Sequence, residues 1–297
     1  MKIYIDGKYY DKEDAKISVY DHGVLYGDGI FEGIRAYNGR IFRLEDHLKR
    51  LDESANAILL KLPLPIKEIE KAIIETVRLN GLKDAYIRLV VTRGVGDLGL
   101  DMRKCKDGAT LFIIADRIEL YPEEFYEKGL TVITSTIRQK GLDQVTPGVK
   151  SLNYLANILA RAEATAGGAQ EAILLNATGH VSECSGDNIF YIKDGKIFTP
   201  PTSAGILVGV TRNVVMELSE KKLGIKVIER NFPRYDLYSA DEVFLTGTGA
   251  EVIAAVKIDG RIIGKGVCGQ TTKNLIKHFR DYANTSGTPV YEAVKAK

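Results

Sequence analysis

The sequence predicts an α+β protein in two parts, and three observations carry that expectation. Asp-Gly and Asn-Gly pairs separate short strand-like runs, which marks hairpins. Amphipathic helical stretches do not alternate strictly with strands, which argues against a doubly wound α/β fold. A polar and aromatic stretch around Pro122 interrupts the pattern, so an interdomain loop is expected at 118–128, between parts 1–117 and 129–297.

The chain opens with a hairpin, Ile3–Ile5 and Lys8–Tyr10 around Asp6-Gly7, and a second spans Gly33–Phe42 around Asn38-Gly39. Leu44, Leu48, Leu51, Ala55, Ile58 and Leu59 then fall on one helical face. Another helix is expected from Ile66 to Leu79, stopping at Asn80-Gly81. Strands follow at Ala85–Thr92 and Thr110–Ala115.

The second part begins with a strand over Leu130–Ile137. A helix is expected from Ser151 to Ala166, then a strand at Glu171–Asn176 and a hairpin over Asn188–Phe198. A helix over Thr211–Leu223, strands at Lys226–Glu229 and Asp241–Thr246, a hairpin over Val252–Ile263 and a helix over Thr271–Tyr282 complete it. The tail after Asn284 is expected to be loose.

Composition narrows the function classes. With 41 basic and 39 acidic residues among 297, the net charge of +2 argues against a nucleic-acid or membrane partner. The N-terminus is too polar for a signal peptide. Three scattered cysteines, Cys105, Cys184 and Cys268, give neither a disulfide framework nor zinc spacing. A reducing cytoplasm and no metal site are therefore expected.

The chemistry concentrates between Pro147 and Asn188. Lys150 stands on a Pro-Gly turn, flanked by Val149 and Leu152. Desolvation there would free an amine for Schiff-base chemistry. Glu183, in an expected small-residue loop, is the carboxylate a pyridinium nitrogen needs. A phosphate site is expected where Thr202–Val208 opens onto a helix at Gly209-Val210-Thr211, although an ordinary helix cap accounts for the same residues. Thr246-Gly247-Thr248-Gly249 offers a second anion nest or a plain turn. Gly94–Gly99 spells a dinucleotide fingerprint, but no helix pattern follows it, so a nucleotide-dependent oxidoreductase is disfavoured and a loop over a site expected. Arg50 reads as a solvated helix charge. Tyr86 and Arg88 share a strand face suited to a carboxylate or to a polar edge. Lys150 and Glu183 together argue against a non-catalytic binding module.

In combination, Asp21-His22-Gly23, Tyr26-Gly27-Asp28-Gly29, Phe31-Glu32-Gly33-Ile34-Arg35, His47–Leu51, Tyr86-Ile87-Arg88, Lys150, Ser182-Glu183 and Gly209–Arg212 resemble a class IV aminotransferase, a fold-type IV pyridoxal phosphate enzyme. Phe-Glu-Gly-Ile-Arg, Tyr-x-Arg and the Gly-Thr loop most resemble branched-chain amino acid aminotransferases. D-amino acid aminotransferases and aminodeoxychorismate lyases are the alternatives within the class. The resemblance implies a smaller N-terminal α/β sandwich-like domain, a larger C-terminal pseudo-barrel domain, and transamination of leucine, isoleucine and valine with 2-oxoglutarate.

The resemblance also implies residue roles. Lys150 would form the Schiff base and shuttle the proton, and Glu183 would pair with the ring nitrogen. Tyr154 would bond the phenolic oxygen, and Leu207 would touch the cofactor. Arg50, Gly209, Val210, Thr211 and Thr248 would hold its phosphate. Tyr86, Thr248, Gly249 and Ala250 would face the substrate carboxylate. Tyr26 and Phe31 would line an apolar pocket, and Arg35 and Arg88 would accept a distal carboxylate. Leu100, on the Gly94 loop, would reach a neighbouring subunit's site, which implies a homodimer or higher oligomer. Gly249, Cys184 and Asp187 depart from the commonest pattern of the class: Gly249 is expected to be tolerated because its contact is a backbone N–H, with a more mobile loop, while Cys184 and Asp187 bear on substrate preference.

Overall fold

In the computed structural model, residues 1–118 and 121–291 are described; parts of the expected connection (119–120) and tail (292–297) lie outside them. The chain forms two compact units. The first holds Met1–Ile118, Val149–Asn153 and the chain from Ala283 onward; the second holds Glu119–Gly148 and Tyr154–Tyr282. The short segment around Lys150 therefore groups with the N-terminal unit.

The first unit is built on strands β1 (Lys2–Ile5), β2 (Lys8–Asp11), β3 (Gly29–Tyr37), β4 (Arg40–Ile41), β5 (Ala85–Thr92) and β6 (Thr110–Asp116). With a short strand at Thr288–Pro289 they form one seven-stranded sheet, in the order Thr288–Pro289, β4, β3, β5, β6, β1, β2. The hairpin turns have positive φ at both central residues, Asp6 (44°) with Gly7 (88°) and Asn38 (48°) with Gly39 (74°). That geometry selects Asp/Asn-Gly because the paired positive φ matches the strand twist. Helix α1 (His22–Tyr26) precedes β3, and α2 (Leu44–Ala57) and α3 (Ile66–Leu79) precede β5. Leu44, Leu48, Leu51 and Ala55 of α2 and Ile69, Ile73 and Val77 of α3 pack on Ile34, Ala36, Ile87, Leu89 and Val91. Each such leucine, isoleucine or valine side chain contributes roughly 1.5–3 kcal/mol by leaving water.

Strand alternation divides β3 into two chemistries. Ile30, Ile34 and Ala36 enter the core, and Glu32 shares their face by period two. Phe31, Gly33, Arg35 and Tyr37 take the other face. In register on β5, Gly33 opposes Arg88 and Arg35 opposes Tyr86.

The second unit opens with α4 (Glu123–Lys128) and β7 (Leu130–Arg138), followed by α5 (Leu155–Ala166), β8 (Glu171–Leu175), β9 (Val181–Cys184), β10 (Asn188–Lys193), β11 (Lys196–Thr199) and α6 (Val210–Leu218). Then come β12 (Ile228–Glu229), α7 (Arg234–Tyr238), β13 (Glu242–Gly247), β14 (Glu251–Ile258), β15 (Arg261–Ile262) and α8 (Gln270–Thr285). The sheet runs β12, β11, β10, β13, β14, β7, β8, β9, with β15 paired to β14. β9 also lies beside β10, so the sheet curls back on itself. The mixed architecture bears out the α+β expectation, and among the described residues parallel pairing is confined to β11–β12, β14–β7 and β7–β8.

Some local expectations are corrected. α5 begins at Leu155 rather than Ser151, because Ser151 pairs in a β-bridge with Ile30. Ser182 and Glu183 lie on β9, not in a loop. The helix expected to reach Leu223 gives way to a single π turn, Ser219–Leu223, after Leu218. From Asn284 to Tyr291 the chain is docked rather than loose: Thr288 and Pro289 pair with β4, and Arg78 donates to the carbonyl of the buried Val290. The short helices α1, α4 and α7 have too few turns to show a helical period in sequence.

Candidate active site

In the first unit, the backbone holds Lys150 against β3. Phe31 N–H donates to the Lys150 carbonyl at 3.0 Å, and Leu152 N–H to the Gly29 carbonyl at 2.9 Å. Lys150 N–H donates to the hydroxyl of the buried Ser54 at 3.2 Å. The Lys150 amine lies 4.6 Å from the Phe31 ring centre. The Arg88 guanidinium lies at the same distance from that ring. Arg88 Nη2 also donates to Tyr86 Oη at 2.9 Å. Phe31, Arg35, Tyr86 and Arg88 thus share the outer β3–β5 face, with an apolar ring bordered by cations. Arg35 stacks over Tyr37 with its guanidinium carbon 4.9 Å from the ring centre.

Arg50 is not the solvated helix charge that its position alone suggested; it is 9% exposed. Its Nε and Nη2 donate to Glu32 at 2.8 and 2.7 Å, a bidentate pair. His47 Nδ1 meets the same carboxylate at 2.7 Å. Burial works against the Glu32 charge, but the Arg50 guanidinium and the donated hydrogen bonds outweigh it and hold the carboxyl at about 2. Burial lowers the His47 imidazole, with Glu32 opposing, so the ring is a neutral donor at physiological pH.

Tyr26 and Leu100 are exposed, on α1 and the Gly94 loop rather than on the β3–β5 face. Tyr26 Oη accepts from Gly99 N–H at 2.8 Å, and His22 Nε2 meets the Asp97 carbonyl at 3.0 Å. The Gly94–Gly99 stretch is followed by a single 3₁₀ turn, Met102–Lys104, so the helix a dinucleotide fingerprint requires is missing.

In the second unit, Glu183 is a buried carboxylate in a built cradle. Gln139 Nε2 donates to Oε1 at 2.6 Å. Leu207 N–H and Asn188 Nδ2 donate to Oε2 at 3.0 and 3.2 Å. Asn188 Nδ2 also donates to the Leu207 carbonyl at 2.9 Å, tying the β10 start to the loop before α6. Burial lowers the neighbouring Lys140 ammonium, with Glu183 opposing.

Helix α6 begins beside this cradle. Gly209 is its N-cap and supplies no side-chain cap, so the first-turn amides of Val210 and Thr211 have no capping partner from that residue. A Cβ at Gly209 would collide with Asn188 Oδ1, so the chain approaches Asn188 only as glycine. Thr246, directly across from Asn188 in the β10–β13 ladder, is buried, and its hydroxyl has no hydrogen-bond partner among the described residues. Thr248, Gly249 and Ala250 form the turn from β13 into β14, with the Ala250 carbonyl accepting from Tyr126 Oη at 3.2 Å. Tyr154 is the N-cap residue that precedes α5. These features fit a phosphorylated pyridine cofactor: a buried carboxylate for a ring nitrogen, a helix N-terminus for a phosphate, and, among the described residues, an unsatisfied hydroxyl opposite Asn188, the residue that touches both.

Residues 29–258 match the model of the amino-transferase class IV family. The chain belongs to that family. A putative branched-chain-amino-acid aminotransferase of Methanocaldococcus jannaschii is 49% identical over 98% of this chain and 100% of the relative. The branched-chain amino acid aminotransferase of T.th., solved with pyridoxamine 5'-phosphate, superposes with a TM-score of 0.91 at 37% identity, covering 95% of this chain and 94% of that one. The Thermoproteus uzoniensis branched-chain aminotransferase, solved with norvaline, gives 0.90 at 38% identity over 98% and 99%. Class, fold type and transferase activity therefore stand as the sequence resemblance implied. Among the described residues no group of His, Cys, Asp and Glu could hold a metal ion, and no helix is long and apolar enough to cross a membrane.

Sequence reasoning gave no separate role to Glu32, His47, Ser54, Gln139, Asn188 or Thr246. The available signals were a charged residue at a core position of β3, a His-Arg pair three apart on α2, and the place of Thr246 in the Gly/Thr run read as a possible anion nest.

Proposed function

We propose that this class IV aminotransferase uses pyridoxal 5'-phosphate to exchange amino groups between leucine, isoleucine or valine and 2-oxoglutarate. The observation that carries the reading is the Glu183 cradle, where Gln139, Leu207 and Asn188 fix a buried carboxylate. When bound, the cofactor supplies an electron sink for charge developing at the substrate Cα. Glu183 keeps the ring nitrogen protonated, which that sink requires. Lys150 carries the cofactor and moves the proton at Cα. Arg50, the amides of Val210 and Thr211, and Thr248 hold the phosphate, and Tyr154 orients the phenolic oxygen.

The outer β3–β5 face supports the substrate assignment. Phe31 offers apolar surface to a branched side chain, while Arg88, Tyr86 and Arg35 offer donors to the distal carboxylate of glutamate. One pocket accepts both because neither carboxylate is buried unpaired. Tyr86 and the amides of Thr248 and Gly249 meet the α-carboxylate. The segment from Val95 to Met102, with Leu98 and Leu100 exposed, suits a homodimer contact that brings Leu100 to a neighbouring subunit.

Purified protein mixed with pyridoxal 5'-phosphate tests the cofactor: a visible absorption band should appear and should be lost in Lys150→Ala. Glutamate formation from leucine, isoleucine and valine with 2-oxoglutarate tests the substrates. Turnover of D-alanine or of aminodeoxychorismate in their place would overturn that assignment.

A further inference from the structure

The Thr246 hydroxyl is 1% exposed and unpartnered among the described residues. A buried hydroxyl without a partner is costly, and folds keep one where something else satisfies it. Its surroundings say what that is. Thr246 pairs across the ladder with Asn188, so the two side chains stand on one sheet face. Asn188 reaches Glu183 with Nδ2, and its Oδ1 packs on the Cα of Gly209 at the start of α6. Thr246 therefore stands beside a residue that touches both the ring-nitrogen carboxylate and the proposed phosphate helix. It also lies two residues before Thr248.

We infer that Thr246 is a further cofactor-contacting residue, its hydroxyl donating to an oxygen acceptor of bound pyridoxal 5'-phosphate. This rests on the cofactor reading above. The side chain is a β-branched residue at a central strand position, where valine would pack equally well and would strand no polar atom. A hydroxyl retained there marks a contact made only when the cofactor is present.

Thr246→Val keeps the shape and removes the hydroxyl. The two forms of the protein should respond with opposite sign. The apoprotein should become more stable, its thermal midpoint rising by roughly 2 °C, because an unsatisfied polar group is gone. The holoenzyme should bind pyridoxal 5'-phosphate about tenfold more weakly by equilibrium titration, the size of one lost hydrogen bond. Thr246→Ser should restore the affinity. A ³¹P NMR shift change in Thr246→Val assigns the contact to the phosphate; an unchanged phosphate signal with weakened binding assigns it to the phenolic oxygen. A destabilised apoprotein with unchanged cofactor affinity would overturn the inference, since the hydroxyl would then be satisfied within the protein or by water. If the unmodified protein binds no pyridoxal 5'-phosphate, the cofactor reading itself fails.

Discussion

The phenol of Tyr86 lies over the backbone of Gly33. A Cβ at position 33 would collide with Tyr86 Oη, and Gly33 is paired in register with Arg88, the donor to that same oxygen. The glycine at this position leaves the space that the Tyr86–Arg88 pair occupies. Its backbone is ordinary extended strand, so the requirement is for room, not for an unusual φ.

Gly33→Ala should therefore displace the phenol and break its bond with Arg88 while leaving the fold intact. Steady-state kinetics should show kcat/KM reduced by up to about 10²-fold, the scale of an ångström-sized misplacement. Unchanged kinetics would mean that Tyr86 does not face substrate.

Removing Glu32 should affect stability first. Glu32→Ala leaves Arg50 buried without its bidentate partner, a change that costs roughly 3–5 kcal/mol when one member of a buried ion pair is deleted. Denaturant unfolding of the variant measures this, and a loss below about 1 kcal/mol would show that water replaces the carboxylate.

The same cluster sets an acid limit. The Glu32 carboxyl is held at about 2 against an ordinary 4.5, because Arg50 and the donated hydrogen bonds outweigh burial. The unfolded chain therefore takes up this proton first, and the stabilisation present above pH 4.5 is lost as pH falls toward 2. Burial lowers His47 below its ordinary 6.5, so the unfolded state also binds that proton first and stability begins to fall below about pH 6.5. Thermal midpoints between about pH 7 and 3 should fall, and His47→Gln should flatten the upper part of that fall.

Gly209→Ala adds a Cβ against Asn188 Oδ1. The Asn188 bonds to Glu183 and to the Leu207 carbonyl should be disturbed together. Cofactor affinity should fall by about tenfold or more, with apoprotein stability far less changed. Equilibrium titration with pyridoxal 5'-phosphate provides the check.

Glu183→Gln keeps the size of the side chain and removes its charge. Under the proposed mechanism the ring nitrogen loses its counterion, and kcat should fall on the order of 10²-fold or more, as when a preorganised electrostatic partner is removed. Retained kcat would exclude Glu183 from this role.

Much of the fold was readable because its signals are local. Asp6-Gly7 and Asn38-Gly39 set their hairpins through positive φ, and the helical periodicity of Leu44–Ala55 and Ile66–Leu79 marks α2 and α3. Errors came where partners are distant. Ser151 is helix-compatible, yet it pairs with Ile30 and delays α5 to Leu155. Ser182 and Glu183 read as loop residues, yet both lie on β9, where Glu183 pairs with Leu174 of β8 and Ser182 falls at the register shift beside it.

The sequence by itself determined the α+β class, the main elements and the family likeness, and it marked Lys150 and Glu183 as the pair on which the proposed chemistry rests. These follow from residue type, spacing and near neighbours along the chain. Only the tertiary structure decided that Arg50 is buried on Glu32, that Gln139 and Asn188 hold Glu183, and that the Thr246 hydroxyl is buried without a partner among the described residues. The Arg50–Glu32 and Gln139–Glu183 contacts join residues 18 and 44 positions apart, and Thr246 meets Asn188 across a strand ladder. Their energies depend on burial and on fixed donor–acceptor geometry, which sequence periodicity does not encode.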